Sequence, residues 1–417
     1  METDSRIRFS DKIVLLILYV FLLSESVSGP IRYISVGLSI ESIIYVPKIF
    51  LLGVVLFKIT KAVLLKRFEV VFFISLLLIT LQTGIGFLFL RNSTQIIFGI
   101  WVIVPLLFGL AIYHSFIISW DIISYKPFLF LWATAIIGVF LQILVGFPWE
   151  GLQYSLAGAN ITANKLWWLS GVQRFSGFSR SSNYVGAEIT LIGLILISKF
   201  KGSRWSLAII IFSTAALWLT RSRAWFLTWA FLIMFITLRS YIPTRIKQIS
   251  PFLVALMGLI LPISSFFLKP QLENQAFLFS LGQRLAKTWP QAFDLVFKHG
   301  NIFFGRGIGG LGAPQNYYES FLHNPGDNLF ISVYVLFGIL GILILLAFSI
   351  ELGNSLIIHS ISATWTIYVI GLALLLLGLT ANGLESPLDS ICLGICLGSI
   401  FNNSYLYRKR GHAYNER

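Results

Sequence analysis

The sequence predicts an all-α polytopic membrane protein of about twelve transmembrane helices, with one large outer loop between spans nine and ten. Three observations lead there. Of 417 residues, 57% are hydrophobic and 12% charged, where a soluble domain carries about a quarter charged residues. Apolar runs of roughly 16 to 24 residues recur along the whole chain, long enough to cross a bilayer as helices. The alternating segments of about 10 residues that build membrane β-barrels are missing.

Run 13–27 sits behind Arg6, Arg8 and Lys12 as a signal peptide would. No convincing small-residue cleavage site follows, so it reads as a retained first span. The remaining spans are 43–60, 68–90, 96–118, 127–147, 183–200, 205–220, 224–239, 250–268, 328–350, 361–381 and 388–405, within one integral membrane domain, 1–417. One set of span ends carries Arg6, Arg8 and Lys12; Lys58, Lys61, Lys66 and Arg67; Lys126; Lys199, Lys201 and Arg204; Arg239, Arg245 and Lys247; and Arg408, Lys409 and Arg410. The opposite short loops hold only Arg32, Arg91, Arg221 and Arg223. The basic ends mark the cytoplasmic side, which places both termini there. Two long connections, 148–182 and 269–327, then lie outside; connections of that length are often functional.

Net charge is +14. The cations are scattered over loops, with no basic domain. That argues against nucleic acid, and for topology, contact with anionic membrane lipids, or an anionic substrate. Cys392 and Cys396 lie one helical turn apart in an apolar span, where packing is their expected role. No internal repeat of the transporter kind is evident.

The stretch "LWLTRSRAWFL" puts Arg221 and Arg223 in a tight outer hairpin between spans seven and eight, against the sidedness rule. The first long loop ends "GVQRFSGFSRSSNYVGAEITL", which supplies Arg174 and Arg180 among small polar residues at the mouth of span six. A helix N-terminus beside arginines attracts anions. Glu188, about one turn inside that span, needs a partner, either one of these arginines or a purely structural one. In the second loop, 283–298 reads as an amphipathic helix lying on the membrane surface. Its apolar face is Leu285, Trp289, Phe293 and Val296, and Arg284 stands beside it. "FFGRGIGGLG" matches a dinucleotide fingerprint only formally, because no strand–helix–strand unit surrounds it. It reads instead as a glycine turn with exposed amides and one cation, Arg306. The loop closes "FLHNPGDNLF", crowding His323, Asn324, Asp327 and Asn328 at the entrance of span ten. His323 and Asp327 are the acid/base candidates, and Asp327 or Asn328 is equally suited to cap the span.

Six outer arginines suit a phosphate or diphosphate, whose oxygens match the guanidinium fork. No carboxylate cluster suggests a metal site, and no Walker motif suggests nucleotide hydrolysis. The energy for chemistry must then lie in the substrate. A lipid-linked diphospho-sugar meets that need, with arginines stabilising the departing diphosphate.

Three ordered stretches carry a family resemblance. "RFSGFSRSSNYVG" looks like an R-x-x-G-x-x-x-x-x-N pattern before a span, "TRSRAWFL" like a T-x-S-R motif at a span end, and "QRLAKTWPQAF…FGRGIGG…HNPGDNLF…FGILG" like a large loop followed by the next span. Over about residues 170–340 the chain resembles the O-antigen ligase and O-antigen polymerase superfamily of bacterial inner-membrane proteins. The resemblance implies a metal-independent glycosyltransferase that needs no cofactor. It would transfer glycan from undecaprenyl diphosphate to an acceptor sugar at the periplasmic face, with 148–182 and 269–327 as periplasmic loops. It implies that Arg223 and Arg174 hold the diphosphate with Arg284 assisting; Arg180, Arg221 and Arg306 join them on residue type, with Asn324, Asn328 and Glu188 in support. The family's histidine position falls on His323 by residue type and on Asp327 by distance to span ten. The "DN" at Asp327–Asn328 favours a polysaccharide polymerase in O-antigen or exopolysaccharide biosynthesis. A ligase acting on lipid A core or protein, and a flippase or exporter of an anionic lipid-linked glycan, are the alternatives. The implied partners are the lipid-linked donor, the acceptor glycan and membrane lipids, together with a flippase and a chain-length regulator.

Overall fold

A computed structural model describes residues 9–66, 69–120, 123–156, 159–165, 167–169, 172–267, 279–358 and 362–415. These are mostly helical, with a few short strands. In order they form α1 (Phe9–Ser26), α2 (Ser28–Gly37), a 3-10 turn (Glu41–Tyr45), α3 (Val46–Leu65), α4 (Val70–Phe89), α5 (Ser93–Ile118) and α6 (Lys126–Leu144). Four short strands follow: β1 (Gln153–Leu156), β2 (Ala159–Thr162), β3 (Trp167–Leu169) and β4 (Val172–Arg174). Then come α7 (Ser182–Ala187), a π turn (Glu188–Ile192), α8 (Gly193–Lys199), α9 (Arg204–Thr220), α10 (Arg223–Thr237) and α11 (Thr244–Ser264). The remainder is α12 (Phe279–Gln283), a second π turn (Arg284–Thr288), α13 (Trp289–His299), α14 (Ala313–Tyr318), a 3-10 turn (Ser320–Leu322), α15 (Leu329–Ile358), α16 (Ser362–Gly378) and α17 (Pro387–Asn415).

Each apolar run read as a span falls on a helix. Among the described residues, 6 helices are long and apolar enough to cross a membrane, or up to 7 if α1 and α2, bent by 76°, count as one span. Shorter apolar helices of 10–17 residues include α9 and α10. The chain is therefore an all-α protein with the helices of a multi-pass membrane protein, and their outward side chains are apolar, such as Leu77, Leu88, Leu144 and Leu227. Such exposure suits lipid rather than water.

The chain divides into two compact units, Met1–Leu64 with Ala111–Thr237, and Leu65–Leu110 with Leu238–Arg417. In the first, α6 packs against α1, α8, α9 and the π turn after α7, while α10 packs on α9 and α7. Buried indoles find polar partners here: Trp132 Nε1 donates to Ser213 Oγ at 2.9 Å and Trp229 Nε1 to Thr214 Oγ1 at 2.9 Å. The first long loop carries two small antiparallel hairpins, β1–β2 and β3–β4, which hydropathy alone does not announce.

In the second unit α15 is the hub, against α11, α13, α16 and α17. It breaks at Gly338, whose φ of +64° is non-helical. The break lets the 301–306 turn dock: Arg306 N–H donates to Val335 O at 2.7 Å and Ile339 N–H to Ile302 O at 3.1 Å. An added Cβ there would run into the Phe303 carbonyl. Non-helical backbone in an apolar helix is tolerated where the protein itself supplies the missing partners.

The amphipathic helix expected over 283–298 is present but differs in two ways. A π turn at Arg284–Thr288 interrupts it. Pro290, having no N–H, cannot serve the 286 carbonyl, so the winding there widens. Its apolar face is also covered by the protein rather than turned to lipid: Leu285, Trp289 and Val296 are buried, and Phe293 meets Phe266 and Tyr334. Residues 269–278 of the second loop lie outside the described residues.

Candidate functional site

The candidate residues fall into two sets, one in each unit. The first holds Arg174, Arg180, Glu188, Arg221 and Arg223. Arg174 ends β4, its Cα opposite Trp167. The chain then turns tightly against α6. Gln142 Oε1 accepts the N–H of Ser176 at 2.8 Å and of Gly177 at 2.7 Å, while its Nε2 donates to Glu150 Oε1 at 2.9 Å. Gly177 has φ of +59°, and an added Cβ would stand 2.9 Å from the Gly138 carbonyl carbon and the Val139 nitrogen. That explains the glycine of the R-x-x-G pattern: the backbone must be left-handed and must touch a helix. Asn164 Nδ2 donates to Ser179 O and lies 2.8 Å from Ser176 Oγ, so the small polar residues between the two arginines are buried and bound. Arg180 O accepts from Lys165 N–H at 2.9 Å. Arg174 and Arg180 are each half-buried.

The hairpin "TRSR" alternates. Thr220 and Ser222 face inward and are buried; Arg221 and Arg223 are exposed. Thr220 Oγ1 accepts from Ser222 N–H at 3.2 Å, and Ser222 Oγ donates to Asn183 Oδ1 at 3.1 Å. Asn183 is the asparagine of the R-x-x-G-x-x-x-x-x-N stretch. Two segments some forty residues apart, picked out by motif alone, are thus hydrogen-bonded to each other. Arg221 has φ of +56° and sits over the Trp218 ring at 5.8 Å; Arg223 opens α10.

Glu188 is buried in the π turn, and both its oxygens lie 3.1 Å from the Ser179 hydroxyl. Its hydrogen-bond partner is therefore the serine before the span, not an arginine. The charge neighbouring it is another carboxylate, Glu25.

The second set holds Arg284, Arg306, His323, Asn324, Asp327 and Asn328. Arg284 Nε donates to Asp327 Oδ2 at 3.3 Å, with side chains 20% and 39% exposed. Asp327 takes a φ of +41°. His323 is exposed. Its neighbour Asn324 is buried: its N–H donates to Gln315 Oε1 at 2.9 Å, its Nδ2 to Thr288 O at 2.7 Å, and its Oδ1 accepts from Gly326 N–H at 2.8 Å. Asn328 is the cap of α15, accepting from Ile331 N–H at 2.9 Å, and its amide donates to Gly258 O and Leu379 O. Both asparagines are fixed by the fold and in turn fix the residues beside them.

Arg306 differs from the other arginines. It is 1% exposed, and its guanidinium donates to His299 O, Gly310 O and both oxygens of Glu319, the nearer at 2.9 Å. Its groups are committed to the glycine loop, so its geometry is that of a scaffold.

Sequence reasoning passed over several polar residues that organise these sets. Glu319 neutralises Arg306, Glu385 accepts the Ala313 N–H at 2.8 Å, and Gln142 holds the Gly177 turn. Arg32, counted above only as an exception to sidedness, is buried at 7% exposure. A cation that breaks the charge bias was the available signal for it. Compared with family models, curated proteins and solved structures, the chain finds no match in any of the three.

Proposed function

We propose that this chain is a polysaccharide polymerase of the bacterial inner membrane, with twelve spans, both termini cytoplasmic and both long loops periplasmic. It transfers a glycan from undecaprenyl diphosphate to the hydroxyl of an acceptor sugar. The bond between the sugar carbon and the diphosphate oxygen breaks, and a bond from that carbon to the acceptor oxygen forms. The acceptor's proton passes to Asp327 or His323, and the lipid diphosphate leaves.

Arg174 and Arg223, with Arg180 and Arg221, are the residues assigned to hold the diphosphate and offset its growing charge on departure. Arg284 orients the Asp327 carboxylate, and His323 stands exposed four residues before it. Arg306 is left to the fold.

The observation that carries this reading is the Asn183–Ser222 hydrogen bond. It ties the two arginine-bearing stretches together in one unit, with hydroxyls inward and cations outward. A purely topological role for these arginines would not call for such a tether. Substituting Arg174, Arg223 and His323 singly by Ala, and Asp327 by Asn, tests it through polymer length on gels. Shortened or lost polymer at normal protein levels is expected for the two arginines and for whichever of Asp327 and His323 takes the proton. Wild-type polymer from all four variants would overturn the assignment.

A further inference from the structure

The first unit contains a second group of polar atoms that the reaction above does not use. It surrounds the break between α1 and α2. Among the described residues, Ser28 Oγ, Trp149 Nε1, and both Nε and Nη1 of Arg32 are buried with no hydrogen-bond partner. Orphaned donors inside a protein are rare, and a buried guanidinium with two of them is costly. Ser28 and Arg32 are four residues apart on α2, so they share a face. Trp149 is brought to the same place by close contact with Gly29, where an added Cβ would stand 2.6 Å from the indole Nε1. Gly29 N–H in turn donates to Phe178 O at 2.7 Å. The orphans therefore belong to one locality.

Its charge is unbalanced. Arg32 lies in electrostatic reach of Arg180 and Glu25, with Tyr154 and Tyr184 near, and Lys48 is in reach of the same Glu25 and Arg180. Arg32, Arg180 and Lys48 thus outnumber the two carboxylates within reach, Glu25 and its neighbour Glu188. Arg32 forms no salt bridge with Glu25 among the described residues. The missing partner must be anionic. It must also offer oxygens in more than one direction, because Nε and Nη1 point from different edges of the guanidinium. A halide or a single carboxylate serves one donor or one edge; the several oxygens of a phosphate or diphosphate accept from an edge of Arg32 and also from the neutral donors Ser28 Oγ and Trp149 Nε1 beside it.

We propose that the break between α1 and α2 carries a buried pocket for a phosphate-bearing anion, with Arg32 as its principal donor and Ser28 Oγ and Trp149 Nε1 as neutral donors beside it. Arg180, one of the arginines assigned to the diphosphate above, also lends charge to it. The pocket rests on the reading above only for its natural occupant, a lipid diphosphate.

The full chain in phosphatidylcholine nanodiscs is titrated with inorganic diphosphate, and separately with orthophosphate, while its melting is followed by tryptophan fluorescence. A ligand that binds only the folded state raises the melting temperature. Diphosphate is expected to do so in the wild type, and chloride at equal ionic strength is not. Arg32→Gln should weaken diphosphate binding by about 10- to 100-fold, the range for a lost charged hydrogen bond. Trp149→Phe keeps the ring and removes only the N–H, so it should weaken binding a few-fold; it serves as the readout if Arg32→Gln does not fold. Wild-type affinity in Trp149→Phe and in any folded Arg32→Gln overturns the pocket, as does a wild type indifferent to millimolar diphosphate. Nanodiscs containing phosphatidylglycerol distinguish the sources: competition with diphosphate assigns the occupant to a membrane headgroup, and no competition assigns it to a diphosphate. Diphosphate binding without polymer formation in cells would remove the polymerase reading and leave the pocket. Polymer formation by a chain that does not bind diphosphate would do the reverse.

Discussion

Replacing Gly177 by Ala should dismantle the turn that carries Arg174 and Arg180. Two costs add. A left-handed backbone costs a residue with a Cβ about 1–2 kcal/mol. The new Cβ also stands 2.9 Å from backbone atoms of Gly138 and Val139, which a helix cannot easily move away; overpacking of this kind costs typically about 1–3 kcal/mol. Together they give about 2–5 kcal/mol, or roughly 4–20 °C in melting temperature for a unit of this size. Gly202 supplies the control. It also has a positive φ, +77°, but an added Cβ there meets nothing within 4 Å. Gly202→Ala should therefore lose only the backbone share, about 1–2 kcal/mol. Both variants are melted in nanodiscs by tryptophan fluorescence, and polymer length is read in cells. Ala at 177 should melt clearly below Ala at 202 and shorten the polymer. If the two melt together, the close contact with α6 is not what the glycine is for, and the account of the R-x-x-G pattern fails.

Two further outcomes follow from buried polar contacts in the second unit. Asn328→Ala removes the cap of α15 and leaves the carbonyls of Gly258 and Leu379 without their donor, so it should cost about 2–4 kcal/mol of stability. Asp, a good cap elsewhere, should not rescue it in the same melt, because its carboxylate would face those two carbonyls. Arg306→Ala should cost about 3–5 kcal/mol and lower the amount of folded protein, since it strands a carboxylate in a buried ion pair. Exposed Arg223→Ala should stay within about 0.5 kcal/mol of wild type in that assay.

The helical class was legible because membrane-crossing helices need long apolar runs, and these runs fall in helical segments, of which 6 or 7 are long and apolar enough to cross. The charge bias legible at the span ends also singled out Arg32, Arg221 and Arg223 as exceptions. What could not be read was how each exception is held. The alternation in "TRSR" is set by Asn183, some forty residues upstream, and no local pattern reports that bond. The same limit applies to Arg306, which in a glycine-rich loop looks solvent-facing until Glu319 and the Gly310 carbonyl close around it. The amphipathic stretch after Arg284 has the composition of a surface helix. Only the packing of α15 decides that its apolar face meets protein. The β-hairpins of the first long loop were invisible because their strands are three or four residues long, too short for a period-two signal to stand out.

The alternation of the 220–223 hairpin has an evolutionary consequence. Its anchoring atoms belong to Thr220 and Ser222, and its charges belong to Arg221 and Arg223, so the two sets of residues can drift separately. A lineage could exchange Arg221 or Arg223 for lysine, changing the cation offered outward, without loosening the joint to Asn183. Drift at the inward pair would instead release the joint whatever the outward residues were. In related chains, lysine should therefore replace arginine at the outward positions independently of Asn183, while the hydroxyls and Asn183 change together or not at all.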